Sequence, residues 1–544
     1  MDLNRALPRI DGSRFAMTPR TDVPRSTFNT RHSLKTTFEA DYLIPIYLKE
    51  VLPGDIHKGR VTIFARLSTP LFPIMDDLEL DTFFFFVPYR ILWTNWVKMM
   101  GERANPTDSI SFTVPQVVVA PAQNGPGSLW DYFGLPGNDQ LDGASSISVN
   151  ALIPRAYNKI WTDWFRDQNL QNSLTLETDD GPDLVTDYTK QKRNKKHDYF
   201  TSCLPWPLKG GTEVSLALSG LANVKGLAID NARTPTAGTP PASDQTGESG
   251  TTGWAGYYAA SAASTLYVRA ASTAAGADPV IQADMSTIGA TINALRLAVA
   301  TQRLLERDAR GGTRYVELLR DHFGVDPQDS RLQRPEYIGG GTTRFQTQAI
   351  PQTSATGLTG GTSPLGALGA TALSQDQHSF TCYAQEHGII MGLANLRGEI
   401  TYQQGIHKMW KRSTRYDFYW PSFAHLGEQA VLLRELYAKG DNQPSDTTVF
   451  GYQERWAEYR HEFSRITGLF TGYRSGNIDE WHLAELFASA PALNSTFITS
   501  ATPMTRILAG AITANMHVLW DSVFDIQSTR PLPMYSVPGL SDRF

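Results

Sequence analysis

The chain has 544 residues, 41% of them hydrophobic and 19% charged, with 44 glycines, 32 prolines and a formal net charge of −5. That size and apolar fraction fill a large core, and the abundant Gly and Pro point to a loop-rich β protein, because both punctuate strands and stay out of helix interiors. The negative balance excludes a surface that binds nucleic acid throughout, so any DNA contact must be local, and two cysteines, Cys203 and Cys382, exclude a disulfide framework or a cysteine zinc site.

Residues 1–36 read as an extended basic arm. Arg5, Arg9, Arg14, Arg20, Arg25, Arg31 and Lys35 are spread through polar, Pro-containing sequence without apolar periodicity, which cannot bury enough surface to fold alone. No apolar leader follows Met1 and no apolar run reaches about 18 residues, so neither a secretory signal nor a membrane helix is expected.

Strand signals begin at Phe38. Arg60–Leu67 alternates, placing Val61, Ile63, Ala65 and Leu67 on one face. Leu78–Val87 contains consecutive phenylalanines, Phe83 to Phe86, whose rings point to both sides of a strand. Both sides must then be covered: one by the core, the other by an insertion or a neighbouring subunit. Leu92–Met100 predicts a short helix carrying Trp93 and Trp96.

Residues 225–285 are rich in Ala, Gly, Ser, Thr and Pro, yet contain Trp254, Tyr257 and Tyr258. They read as an inserted excursion packed against copies of itself, since long loops in compact proteins are usually functional. Residues 287–306 predict the longest helix, with Ile288, Ile292, Leu295 and Val299 on one face after a Ser286 N-cap. A second helix runs from Arg314 to Phe323 and stops at Gly324. Glu386–Tyr402 is strand-like again. The ending, Arg530–Phe544, is too proline-rich for a central strand and is expected to run extended over a surface.

Sequence motifs for catalysis are absent. Gly339-Gly340-Gly341 lacks the lysine of a phosphate loop and reads as an ordinary loop. His461-Glu462 has no second histidine at metalloprotease spacing, and there is no G-x-S-x-G elbow. Asp76, Asp77, Glu79 and Asp81 supply enough carboxylates for a divalent cation, but no Gly-centred binding loop follows. They read instead as a turn and the outward face of a strand, and no cofactor is predicted.

Two basic features are candidates for DNA. Lys190–His197 (KQKRNKKH) is the densest positive run, and Lys190, Lys192, Arg193, Lys195 and Lys196 are its candidate phosphate contacts. Tyr188, Tyr199, Phe200 and Trp206 lie nearby in sequence and could stack unpaired bases. The arm, through Arg5, Arg9 and Arg14, is the other.

Several blocks resemble the major capsid proteins of gokushoviruses, small single-stranded DNA phages of the Microviridae. They are SRFAMTPRTDVPRSTFNTR (Ser13–Arg31), LLERDARGGTRY (Leu304–Tyr315), RLQRPEYIGGG (Arg331–Gly341), TYQQGIHKMW (Thr401–Trp410), DFYWPSFAHLGEQAV (Asp417–Val431), FGYQERWAEYR (Phe450–Arg460) and the terminal RPLPMYSVPGLSDRF. The resemblance covers nearly the whole chain, in order, and is weak over 225–285 and 355–378.

It implies a mainly β fold, an eight-stranded viral jelly-roll barrel with long, partly helical insertions between strands. The expected organisation is one capsid domain: the arm 1–36, first strands over 37–224, the variable insertion 225–285, helices and remaining strands over 286–529, and a tail 530–544. The implied role is a non-enzymatic coat that self-assembles into a small T=1 icosahedral shell in the bacterial cytoplasm and remains in the virion. The insertion, with Trp254, Tyr257 and Tyr258, would form threefold protrusions that meet a host receptor.

The tail, with Arg530, Pro531, Tyr535 and Phe544, would clamp neighbouring subunits. The implied partners are copies of the chain itself, the circular single-stranded DNA genome, an internal scaffolding protein and a small basic DNA-binding phage protein, with no membrane. At −5 per copy the coat alone cannot neutralise a genome, which fits that last partner. A jelly-roll carbohydrate-binding adhesin, with the same aromatic trio as sugar platform, is the alternative.

Overall fold

A computed structural model describes residues 24–208 (apart from 138, 143 and 144), 220–223, 254–258, 265–269, 282–285, 292–310, 333–351, 368–509 (apart from 442) and 515–535. The chain forms two compact units, residues 1–205 with 327–544, and residues 206–326.

The first unit is built on nine antiparallel strands: β1 (Ser26–Phe38), β2 (Ile44–Val51), β3 (Ile56–Leu67), β4 (Leu78–Pro88), β5 (Glu336–Arg344), β6 (Gln346–Pro351), β7 (Leu368–Tyr383), β8 (Gly388–Gly398) and β9 (Val518–Arg530). Eight run in the order β1-β9-β3-β7-β5-β4-β8-β2, and β6 pairs with β7 beside that path. One half of the barrel is therefore β1-β9-β3-β7 and the other β5-β4-β8-β2, the connectivity of a jelly roll. The end strands β1 and β2 meet through side chains. The Tyr47 ring of β2 lies 5.8 Å from His32 of β1, 5.2 Å from Phe524 of β9 and 5.6 Å from Phe380 of β7.

Strand β3 alternates as its sequence predicts, with Val61, Ile63, Ala65 and Leu67 buried and Arg60, Phe64 and Arg66 exposed. Strand β4 is covered on both faces. Phe84 and Phe86 enter the barrel core, where Phe84 stacks on Phe380 at 4.4 Å. Phe85 and Val87 point the other way and join Ile389, Met391 and Leu393 of β8 in a second core. Its cover is the chain's own insertion between β4 and β5, including α1 (Leu152–Ile160), Trp93, Trp130 and Tyr188. A buried Arg155 ties that insertion together, donating from Nε to Asp183 at 2.8 Å and from Nη2 at 2.5 Å. Only one turn of the predicted 92–100 helix forms, Trp96–Met99.

Two expectations need correction here. The arm does not extend to residue 36: β1 pairs with β9 from Ser26↔Arg530 to Phe38↔Val518. The sequence hid this because an edge strand held mainly by backbone hydrogen bonds can keep most side chains polar and exposed, as β1 does. Gly339-Gly340-Gly341 is no loop but the middle of β5, between β4 and β7. There Gly339 and Gly340 have φ of 153° and 156°, and a Cβ on Gly340 would sit 2.1 Å from the Thr82 carbonyl oxygen.

A third apolar cluster lies largely in the loops between β8 and β9. It gathers Val431, Leu436, Tyr437, Phe450 and Phe497 with Tyr199, Phe200 and Cys203.

In the second unit, Gly220–Asn223 pairs with Gln282–Met285, and Trp254–Tyr258 pairs with Thr265–Arg269. Helix α2 is described over Ile292–Arg310, with Leu295 and Val299 exposed. Ser286, Ile288 and the predicted 314–323 helix lie outside the described residues.

Candidate functional site

On the outer face of β4 the side chains of Glu79, Asp81, Phe83 and Phe85 form one row, because alternate residues share a face. On β8 the matching row ends in Asn395 and Arg397. The surface thus changes from apolar at one end to charged at the other. The basic segment 190–196 lies over the charged end. Lys196 Nζ is 2.6 Å from Glu79, and Arg193 pairs with Asp81. Arg397 Nη2 stands 3.8 Å from the same Asp81.

The two strand carboxylates of the densest acidic run, Glu79 and Asp81, are therefore partnered by Lys196 and Arg193 of the densest basic run. Glu79 and Asp81 do lie on the strand's outward face, but that face is covered and both are buried. Isolated buried carboxylates would be costly, and the cations opposite offset that cost. Asp76 accepts from the Leu483 N–H at 2.5 Å and Asp77 pairs with Arg344 at 3.0 Å. Among the described residues no group of three or more His, Cys, Asp or Glu could hold a metal ion.

The other predicted phosphate contacts are also engaged within the chain. Lys195 is buried and lies 2.6 Å from Glu485. Lys190 lies 3.3 Å from Glu39 and donates to Asn515 at 2.7 Å. Lys192 stands 5.1 Å over the Tyr42 ring. The aromatics expected to stack bases are mostly inside: Tyr188, Tyr199 and Phe200 belong to apolar cores.

Beside the segment lies a cleft of about 550 Å³ that sequence reasoning missed. Its aromatic side is Trp164 and Tyr337, both partly exposed, over Phe83, Phe85 and Phe165. Its polar side includes Arg166, Arg193, Lys196 and Arg397. Trp164 occupies a π-helical turn, Trp161–Phe165, that follows α1. Trp161 is buried, donating from Nε1 to the Lys192 carbonyl at 2.9 Å, while Trp164 faces the cleft. The spaced tryptophans in WTDWFRD were the available signal; their partner Tyr337 is distant in sequence.

Arg5, Arg9, Arg14 and Phe544 lie outside the described residues. Trp254, Tyr257 and Tyr258 share the first strand of the second unit's hairpin. Arg530 closes β9, with Nη2 2.7 Å from the Glu50 carbonyl and 3.1 Å from Asp55, so it belongs to the barrel and not to a tail. Pro531 follows the strand and Tyr535 is exposed.

One constellation looks reactive on distances alone. His57 Nδ1 is 2.8 Å from Ser528 Oγ, and Nε2 is 3.1 Å from Asp55. All three side chains are buried, so no substrate reaches the serine. Burial holds the His57 pKa below its ordinary value against the opposing pull of Asp55. The trio ties β3 to β9.

Among the described residues no helix is long and apolar enough to cross a membrane. The family model for the phage capsid protein (F protein) matches residues 16–540. Capsid protein VP1 of Bdellovibrio phage phiMH2K is 42% identical, the match covering 97% of this chain and 98% of that protein. Capsid protein VP1 of Chlamydia phage 1 is 38% identical over 99% of this chain and all of the relative. Capsid protein VP1 of Spiroplasma virus 4 is 36% identical over 97% of each. Together with the jelly roll, these matches place the chain in the phage capsid F-protein family.

Proposed function

We propose that this protein is the major capsid protein of a gokushovirus-type phage and builds a small T=1 icosahedral shell around a circular single-stranded DNA genome. The observation that carries the reading is the chain-long match to capsid proteins on a jelly roll whose second sheet is sealed by its own insertion. A subunit finished in this way presents insertions, termini and loops for symmetric contact with other copies. The C-terminal residues Pro531, Tyr535 and Phe544 serve as an inter-subunit strap. The second unit, with Trp254, Tyr257 and Tyr258, forms the protrusion for host attachment. Assembly uses an internal scaffolding protein in the host cytoplasm, and a small basic phage protein offsets genome charge.

Negative-stain microscopy with sedimentation, with and without the companion phage proteins, tests this reading. Uniform small icosahedral particles are expected. Monomers alone, even with the companions present, would sink it in favour of a carbohydrate-binding module. Deleting 226–284 should leave particles intact and abolish infection; unchanged infectivity would remove the attachment role.

A further inference from the structure

We propose that the cleft between Trp164, Tyr337, Arg166 and Arg397 binds one nucleotide of unpaired DNA, its base against the aromatic side and its phosphate against the guanidinium side. This rests on the coat reading above and names where such a shell would hold its genome.

The aromatic side has the character of a stacking platform. Trp164 and Tyr337 are 40% and 44% exposed although both rest on the rigid outer face of β4. Their rings lie 5.5 and 5.6 Å from Phe85, and 6.2 Å from one another at 46°. Trp164 is fixed by its Nε1–H, which donates to the Pro335 carbonyl at 2.8 Å. The Arg334 guanidinium lies 5.1 Å over the Trp164 ring, so a base stacking on that face would take its place and leave the cation at the base's edge, within reach of its phosphate.

The polar side holds cations short of anions. Arg397 is only 7% exposed, yet its guanidinium makes one hydrogen bond, from Nη1 to the Asn194 carbonyl at 3.1 Å, and its Nε has no partner. It shares Asp81 with Arg193. Burial, and then Arg193, push its pKa down to about 10. Arg166 Nε is likewise unpartnered, and Nη1 reaches only the Gln171 carbonyl, at 3.3 Å. Buried donors without acceptors are costly, and phosphate oxygens would supply acceptors. Paired bases hide their faces in the stack, so the cleft selects single strands. An acidic peptide would satisfy the arginines but leave the two ring faces without a matching plane.

The test uses virions assembled with their companion proteins on DNA carrying 5-iodouracil, irradiated and digested, with cross-linked peptides identified by mass spectrometry. Adducts on peptides containing Trp164 or Tyr337 are expected. Arg166→Gln combined with Arg334→Gln should lower their yield while particles sediment normally. Trp164→Ala should lower it at least about fivefold, and Trp164→Phe, which keeps a ring, should retain most of it. Adducts confined to other segments, or cleft residues joined to protein in place of DNA, would overturn the site and leave the coat reading standing. Failure of the wild-type chain to form particles would overturn the coat reading and the cleft with it.

Discussion

The two halves of the barrel solve the same problem differently. In the first half, β9, β3 and β7 each bury one face and show the other to solvent, so Val61 and Ile63 are inside while Phe64 is 49% exposed, and β1 lies along their edge largely exposed. In β5-β4-β8-β2 the strands β4 and β8 are buried along nearly their whole length, and a large insertion covers the outer face. The first half is an ordinary amphipathic sheet; the second is the middle layer of a sandwich. The covering insertion makes the second half complete within one chain, so subunit contacts are not required to hide its phenylalanines.

Alanine at three phenylalanines would break or sharpen that contrast. Phe84→Ala and Phe85→Ala, on opposite faces of β4, should each cost about 3–5 kcal/mol, because both rings are buried. Phe64→Ala on β3 should stay within about 0.5 kcal/mol. Denaturant unfolding of the unassembled chain, followed by tryptophan fluorescence, reads all three. If Phe85→Ala resembled Phe64→Ala, the insertion would not be acting as core and the outer face would await a neighbour.

The alternation of Val61, Ile63, Ala65 and Leu67 made β3 legible, because a sheet with one wet face writes its period into the sequence. Phe83 to Phe86 revealed that two covers were needed but not which residues supplied them, since contacts such as Phe85 to Trp164 join distant segments. Strand β1 was illegible because backbone pairing, not apolar burial, holds it. The charge runs at 76–81 and 190–197 were both found, but their mutual pairing depends on tertiary folding. The cleft escaped for the same reason: Trp164 and Tyr337 come from opposite sides of the second unit in sequence, and only the sheet unites them.

Asp81→Asn probes the charged end of the covered face. It would leave Arg193 and Arg397 side by side with a weaker partner. We expect a loss of roughly 2–4 kcal/mol, below the full cost of breaking a buried pair because Arg193 keeps some contact with water. Thermal unfolding of the variant should show a clear drop in midpoint. A midpoint equal to wild type would mean that the apolar part of the insertion alone fixes the cover.

Acid should act on the barrel through its buried histidines. His57, His378 and His517 all have pKa values held below the ordinary 6.5, chiefly by burial. Below about pH 6.5 the unfolded chain takes up protons that the folded chain resists, so stability is full above that pH and is lost as pH falls toward the folded values. The unfolding midpoint should therefore be flat above pH 6.5 in respect of these groups and decline below it. His57→Gln should make the decline shallower, which a pH series of thermal scans would reveal; an unchanged slope would remove His57 from the account.

The smallest effect belongs to the edge of the wet half. Lys35 of β1 and Asp521 of β9 lie 2.5 Å apart, yet both side chains are well exposed. Water screens such a pair and its side-chain ordering opposes it, so Lys35→Ala should cost less than about 1 kcal/mol and less still in high salt. The backbone ladder that holds β1 survives the change. A loss as large as that of Asp81→Asn would mean that β1 is pinned by its charges and not by its hydrogen bonds. The edge strand would then be the weaker closure of the barrel, and the ring contacts of Tyr47 with His32 and Phe524 would carry little of it.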